Sequence, residues 1–327
     1  MRDIKALQLA TKKYAVENVY LSWWYVLSTL AIFAGLLTVA CLDLPLALRV
    51  SASILAGLVT TRFFVIYHDY QHKAILQGSW LAKVIFSVFG MVALNPANIW
   101  NRSHNHHHKN NSKSFGASIG SYPLMTTDAY AHAKGWERFR YGLARHPATI
   151  ALGYLTIFFY GMCLRSLMTN PRRHIDSALS LLLHLTIIAF LAVFAWDIML
   201  LGVIVPSAVA AAVGAYLFYA QHNFPEVKIR ERGEWNFVFA ALHSSSYMKM
   251  GPVMQWFSAN IGYHHVHHLN ARIPFYRLPE AMEGIEELQT PHTISLHPRI
   301  VYRCLQLKLW DIRRDRLVTF QEAAQVA

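Results

Sequence analysis

Four stretches of about twenty apolar residues decide what this chain can fold into. They are 22–42 ("SWWYVLSTLAIFAGLLTVACL"), 46–67 ("LALRVSASILAGLVTTRFFVIY"), 178–197 ("ALSLLLHLTIIAFLAVFAWD") and 200–221 ("LLGVIVPSAVAAAVGAYLFYAQ"). A helix needs about 20 such residues to cross a hydrocarbon core of about 30 Å. In that medium the backbone must satisfy its own hydrogen bonds, which leaves helices or a closed barrel. Only 15% of the 327 residues are charged, against about 25% in a soluble domain, and the mean hydropathy is +0.26. The expected fold is therefore an all-α integral membrane protein, with four transmembrane helices in two hairpins. The remainder would form a cytoplasmic, histidine-rich cap with interfacial helices, all within one domain spanning 1–327. Two shorter apolar runs, 80–94 and 148–164, suit interfacial or re-entrant helices.

The charge distribution orients these spans. The short connections carry Asp43 and Asp197, whereas 98–147 holds Arg102, Lys109, Lys113, Lys134, Arg138, Arg140 and Arg145, and 222–327 is longer and also basic. Basic loops stay in the cytoplasm, so 1–21, 68–177 and 222–327 are expected there. An odd number of spans would put the two basic segments on opposite sides, so 148–164 is read as interfacial. Trp23 and Trp24 fit an aromatic belt at the start of the first span. The net charge of +12 then reflects anionic lipid. The aromatic residues lie in apolar runs rather than along a basic stripe, which argues against a nucleic-acid partner. The polar first twenty residues show no signal-peptide pattern. Cys41, Cys163 and Cys304 match no disulfide, zinc or redox spacing.

Within this apolar chain the histidines come in sets. His68 and His72 ("HDYQH") follow the second span. His104, His107 and His108 read as HxxHH in "HNHHH", and His264, His267 and His268 repeat the pattern in "HHVHH". On a helix, positions i, i+3 and i+4 share a face with side chains about 5–6 Å apart, so each set can aim two or three imidazoles at one point. His106 and His265 would point elsewhere. His222, where the fourth span meets the cytoplasm, completes nine candidates on one membrane face. Neutral imidazole ligates zinc, copper, iron and nickel. Nine ligands exceed one ion and suit two six-coordinate irons with open positions. A single HxxxH carries little weight, but two HxxHH boxes and one HxxxH on one membrane face carry much more.

Of the others, His132, His146, His174, His243, His292 and His297 read as surface, capping or supporting groups, and His184 as a hydrogen-bonding residue inside the bundle. Arg62 marks the approach of its helix to the interface. Asp69 is either a carboxylate supporting a ligand's second nitrogen or a solvated acid.

The boxes and their surroundings resemble the membrane fatty-acid desaturases, nearest the bacterial acyl-lipid type related to the omega-6 (Δ12) enzymes. The likeness covers nearly the whole chain, through "RFFVIYHDYQH", "NPANIWNRSHNHHH", "RFRYGLARHP", "QHNFP", "SANIGYHHVHHL", "RIPFYRLPEA" and "LKLWD". It implies a non-haem di-iron enzyme that uses O2 to remove two hydrogens from adjacent methylenes of a fatty acyl lipid. Its iron ligands would be His68, His72, His104, His107, His108, His264, His267 and His268, with His222 as the extra histidine before the third box. Acyl-CoA-type relatives have an asparagine four residues before that histidine, where this chain has Phe218. The first box departs from "HDCGH" at Tyr70 and Gln71, and the linker "KNNSKSFGASIGSY" lacks the usual Gly/Asp-rich character. An unactivated methylene has no acidic proton, so the hard chemistry belongs to a cofactor. The sequence contains no cytochrome-b5 or iron–sulfur motif, which implies a separate donor, ferredoxin- or cytochrome-b5-like. A related histidine-box lipid hydroxylase, ketolase or acetylenase remains an alternative. From other classes, a histidine-rich metal transporter and a bis-histidine haem cytochrome remain.

Overall fold

In the computed structural model, residues 3–113 and 120–325 are described; within the linker just quoted, 114–119 lie outside them. The four apolar stretches form four long helices, α1 (Val19–Cys41), α2 (Leu46–Gln71), α5 (Ile175–Phe194) and α6 (Trp196–His222), each long and apolar enough to cross a membrane. Between α2 and α5 lie α3 (Trp80–Val92) and α4 (Ala97–Asn110), and past α6 the short α7 (His264–Leu269). Helix α2 is central: 61% of its apolar window is buried, against 17% for α1 and 22% for α5 and α6. It packs on both α1 and α6. Against α6, Gly57 admits the neighbouring helix, and a Cβ in its place would stand 2.6 Å from Val209 Cβ and 2.8 Å from the Pro206 carbonyl. The starts of α2 and α6 are pinned by the Arg49–Asp197 ion pair at 2.6 Å, and their C-terminal ends meet at the histidines.

The helices run past the apolar stretches that mark them. Backbone hydrogen bonding continues after hydrocarbon character ends, so α2 extends through "HDYQ". His68 therefore sits in its last turn, not beyond it, and His72 is its C-cap. Helix α1 begins at Val19 because the Asn18 side chain accepts the Leu21 N–H at 3.1 Å. The connection between α5 and α6 shrinks to Ala195.

The two shorter runs are both helical. Helix α3 buries Ala82, Phe86 and Gly90 and exposes Trp80, Val84, Val88 and Val92, an apolar stripe on each face at helical spacing. It breaks before Pro96, whose ring disfavours helix in the preceding residue, and α4 leaves at 88°. The second run becomes a near-continuous helix, Pro147–Ala151, then a π-helical stretch Tyr154–Leu164, then Arg165–Thr169. It packs against α5 and α6.

The expectation of an all-α fold needs correction. Among the described residues five short strands are present: β1 (Met125–Thr126), β2 (Tyr247–Lys249), β3 (Thr293–Ser295), β4 (Leu309–Asp311) and β5 (Arg316–Val318). Strand β4 pairs parallel with β1 and antiparallel with β5, and β2 pairs parallel with β3. At two or three residues each they are too short to show alternation in sequence.

Arg62 lies inside the protein rather than on its surface. It is buried, donates to Thr29 Oγ1 at 3.2 Å and to the Trp256 carbonyl, and lies over the Trp256 ring at 4.4 Å. His184 does bond inside the bundle, to the Tyr154 hydroxyl. His146 and His297 are helix N-caps, and His132 is exposed. The three cysteines are free.

Candidate metal centre

Four elements carry the nine box histidines to one place: α2 ends with His68 and His72, α4 presents the second box, α6 ends with His222, and α7 carries the third box. All nine take part in two groups. His68, His72, His104, His108 and His267 form one, and His107, His222, His264 and His268 the other, with the ligating nitrogens of each group within 4.8 Å of one another. Seven of the nine are buried, and His72 and His222 are half-buried. His106 and His265 fall in neither group; the His265 ring turns away and donates from Nε2 to the Leu288 carbonyl at 3.1 Å.

Boxes two and three each aim two imidazoles at one group and the remaining one at the other. In α4, His104 and His108 enter the five-histidine group while His107 enters the other, and in α7, His264 and His268 enter the four-histidine group while His267 crosses to the first. At 100° per residue, i and i+4 differ by 40°, whereas i+3 and i+4 differ by 100°. Each HxxHH box thus feeds both groups, with the i+3 histidine as the one that crosses.

The contacts within the groups suit shared cations. In the four-histidine group the Nε2 atoms close a ring, with His107–His222 at 3.0 Å, His222–His264 at 2.9 Å, His264–His268 at 3.1 Å and His268–His107 at 3.3 Å. Each Nε2 bears one proton or one lone pair and meets two neighbours, so linear hydrogen bonds cannot satisfy all four atoms. One ion taking four lone pairs does. With a metal–imidazole bond of about 2.1 Å, neighbouring donors stand about 3.0–3.4 Å apart. The five-histidine group shows the same separations, with His68–His104 at 3.0 Å, His104–His108 at 3.0 Å and His108–His267 at 3.2 Å.

The outer ring nitrogens fix which atom faces inward. His222 Nδ1 lies 2.9 Å from the Ser244 carbonyl, which can only accept, so its proton is on Nδ1 and its lone pair on Nε2. His107 Nδ1 lies 2.7 Å from Ser121 Oγ, and His68 Nδ1 lies 3.2 Å from Asp69 Oδ1. Asp69 is buried, not solvated, and its other oxygen accepts the Phe275 N–H at 2.6 Å, which ties α2 to the segment after the third box. Burial, reinforced by the neighbouring imidazoles, holds His72, His104, His107, His108, His264, His267 and His268 well below the usual histidine pKa. They are neutral donors at physiological pH.

Several contributors carry no histidine signal. The Trp100 ring stacks on His104 at 4.3 Å, and its place one turn before that histidine could have been read from helical spacing. Phe218, which stands where acyl-CoA-type relatives have asparagine, packs its ring 5.0 Å from His107 and 5.7 Å from His222. Ser121 and the Ser244 carbonyl lie in irregular segments with no pattern to mark them.

Apolar helices long enough to cross a bilayer, ending at two adjoining histidine groups that could each hold a metal ion, fit a membrane metalloenzyme. The chain belongs to the fatty acid desaturase family, whose pattern it matches over residues 44–299. It is 30% identical over 302 residues to the fatty acid desaturase of Bacillus subtilis, covering 90% of this chain and 84% of that one. It is 24% identical over 296 residues to the sn-1 oleoyl-lipid 12-desaturase of Picosynechococcus, covering 88% and 82%. Over 241 residues it is 24% identical to the chloroplastic omega-6 fatty acid desaturase of Brassica napus, covering 71% of this chain and 52% of that protein. The chain is thus a desaturase, a membrane oxidoreductase of lipid metabolism.

Proposed function

We propose that the protein is an O2-dependent, non-haem di-iron acyl-lipid desaturase. In this reading His68, His72, His104, His108 and His267 hold one iron, and His107, His222, His264 and His268 the other. The observation that carries it is that nine candidate ligands divide into two groups with none left over. When bound, the iron pair supplies the oxidising chemistry that removes two hydrogens from adjacent methylenes. The chain's own residues do the rest. Neutral imidazoles leave the cations' charge uncompensated, Asp69, Ser121 and the Ser244 carbonyl orient their rings, and burial excludes water. The acyl chain would enter from lipid between the helices and stop beside the histidines.

The spans form two hairpins within a single domain, and the termini and histidine boxes face the cytoplasm, at a bacterial inner membrane. The basic balance of the long segments supports that orientation. So does the N-terminal segment, which is tied to the histidine end through Thr11 Oγ1 to Asn270 at 2.8 Å and Glu17 to the Leu76 N–H at 2.6 Å. Electrons come from a separate ferredoxin- or cytochrome-b5-like donor. The name of the Picosynechococcus relative, an oleoyl-lipid 12-desaturase, favours an acyl chain carried on a lipid.

Expression in a host lacking polyunsaturated lipids, followed by mass spectrometry of its fatty acids, tests the reading. A product two mass units lighter is expected. Gain of one oxygen would favour the hydroxylase or ketolase alternative, and a purified active sample without iron would sink the proposal.

A further inference from the structure

Arg145 stands outside both histidine groups, yet it is among the most deeply buried side chains of the protein, 2% exposed. No carboxylate pairs with it among the described residues; its guanidinium is met by neutral oxygens and lies over the Tyr219 ring at 5.2 Å. One terminal nitrogen donates to the Pro123 carbonyl at 2.8 Å; the other reaches Tyr219 Oη at 3.2 Å, the Leu307 carbonyl at 3.2 Å and Asn223 Oδ1. A buried charge without a counter-ion is costly, so its retention calls for a reason beyond packing.

The positions of those acceptors supply one. Tyr219 and Asn223 flank His222 at −3 and +1, so gripping both fixes the rotation of the α6 end about its axis. Pro123 lies two residues past Ser121, whose hydroxyl meets His107 Nδ1. His107 and His222 touch through their Nε2 atoms at 3.0 Å. The Tyr122 ring, between Ser121 and Pro123, packs on Tyr219 edge to face at 4.8 Å. Leu307 anchors the assembly to the C-terminal tail, where Lys308 donates back to the Arg145 carbonyl.

We propose that Arg145 is the positioning residue of the four-histidine site: it clamps the Ser121–Pro123 turn to the end of α6, and so sets His107 and His222 against each other. A planar fork of five donors can span acceptors from three segments, which a lysine ammonium cannot.

The proposal rests on the two-iron reading, and the test separates the two. Iron per chain is measured in the purified wild type, His222→Ala, Arg145→Lys and Arg145→Gln, together with chelator competition and thermal melts. Wild type is expected to hold two ions and His222→Ala one; a wild type that never holds two defeats the two-iron reading itself. Both Arg145 variants should keep the tighter ion and bind the second about 10–100-fold more weakly. Folded Arg145 variants that hold both ions as tightly as wild type would overturn the inference, as would equal weakening of the two sites. Should neither variant fold, Tyr219→Phe with Asn223→Ala removes two acceptors and keeps the arginine. Weakening confined to one ion is again expected, and unchanged affinity for both ions would overturn the clamp.

Discussion

Among single residues, adjacency in sequence is a poor guide to shared work. His107 and His108 are neighbours that serve different groups, and so are His267 and His268. His264 and His265 differ more sharply, since one joins the four-histidine ring and the other bonds to the Leu288 carbonyl. A paired substitution follows. His267→Ala should lose the ion of the five-histidine group and all desaturation while the protein still inserts. His265→Ala should keep both ions and cost about 1–3 kcal/mol of stability, since it strands a buried carbonyl. Bound iron and a melting curve, measured on both variants, check the contrast. Iron loss in the His265 variant would mean that the ring's orientation has been misread.

Of the helices, α2 does most to bring the site together. It delivers His68 and His72, buries Asp69 against Phe275, and meets α6 at Gly57. That crossing sets the spacing between the helix ends that carry His68 and His222. Gly57→Leu should therefore push α2 from α6. A cost of about 1–3 kcal/mol is expected from overpacking, seen as a lower melting temperature, with weaker iron binding at both groups. Gly35, where an added Cβ would meet nothing within 4 Å, provides the control: Gly35→Leu should leave both readouts unchanged.

For the protein taken entire, the charge of +12 bears on the proposed electron donor. A basic face attracts an acidic donor, and that attraction is screened by salt. Turnover with a protein donor should fall about tenfold or more as salt rises from low to high ionic strength, while turnover with a small neutral reductant should hold. Equal sensitivity to salt in both assays would remove electrostatic docking from the account. The tail also contributes to the integrity of the molecule. β4 pairs with β1, and Asp315 bridges Lys228 and Arg230, each at 2.6 Å, which fastens the chain end to the segment that follows α6.

The four spans, the helical boxes and all nine box histidines were legible in the sequence, because hydrophobic length and i, i+3, i+4 spacing are local properties that the backbone must obey. The same angular argument excluded His106 and His265. Which histidine joins which group was decided by tertiary structure, because that depends on how α4 and α7 face each other across the ends of α2 and α6. Tertiary structure alone revealed Ser121, the Ser244 carbonyl and Arg145. Their contacts span dozens of residues of sequence or join irregular segments, and no periodicity records a hydrogen bond made at that distance.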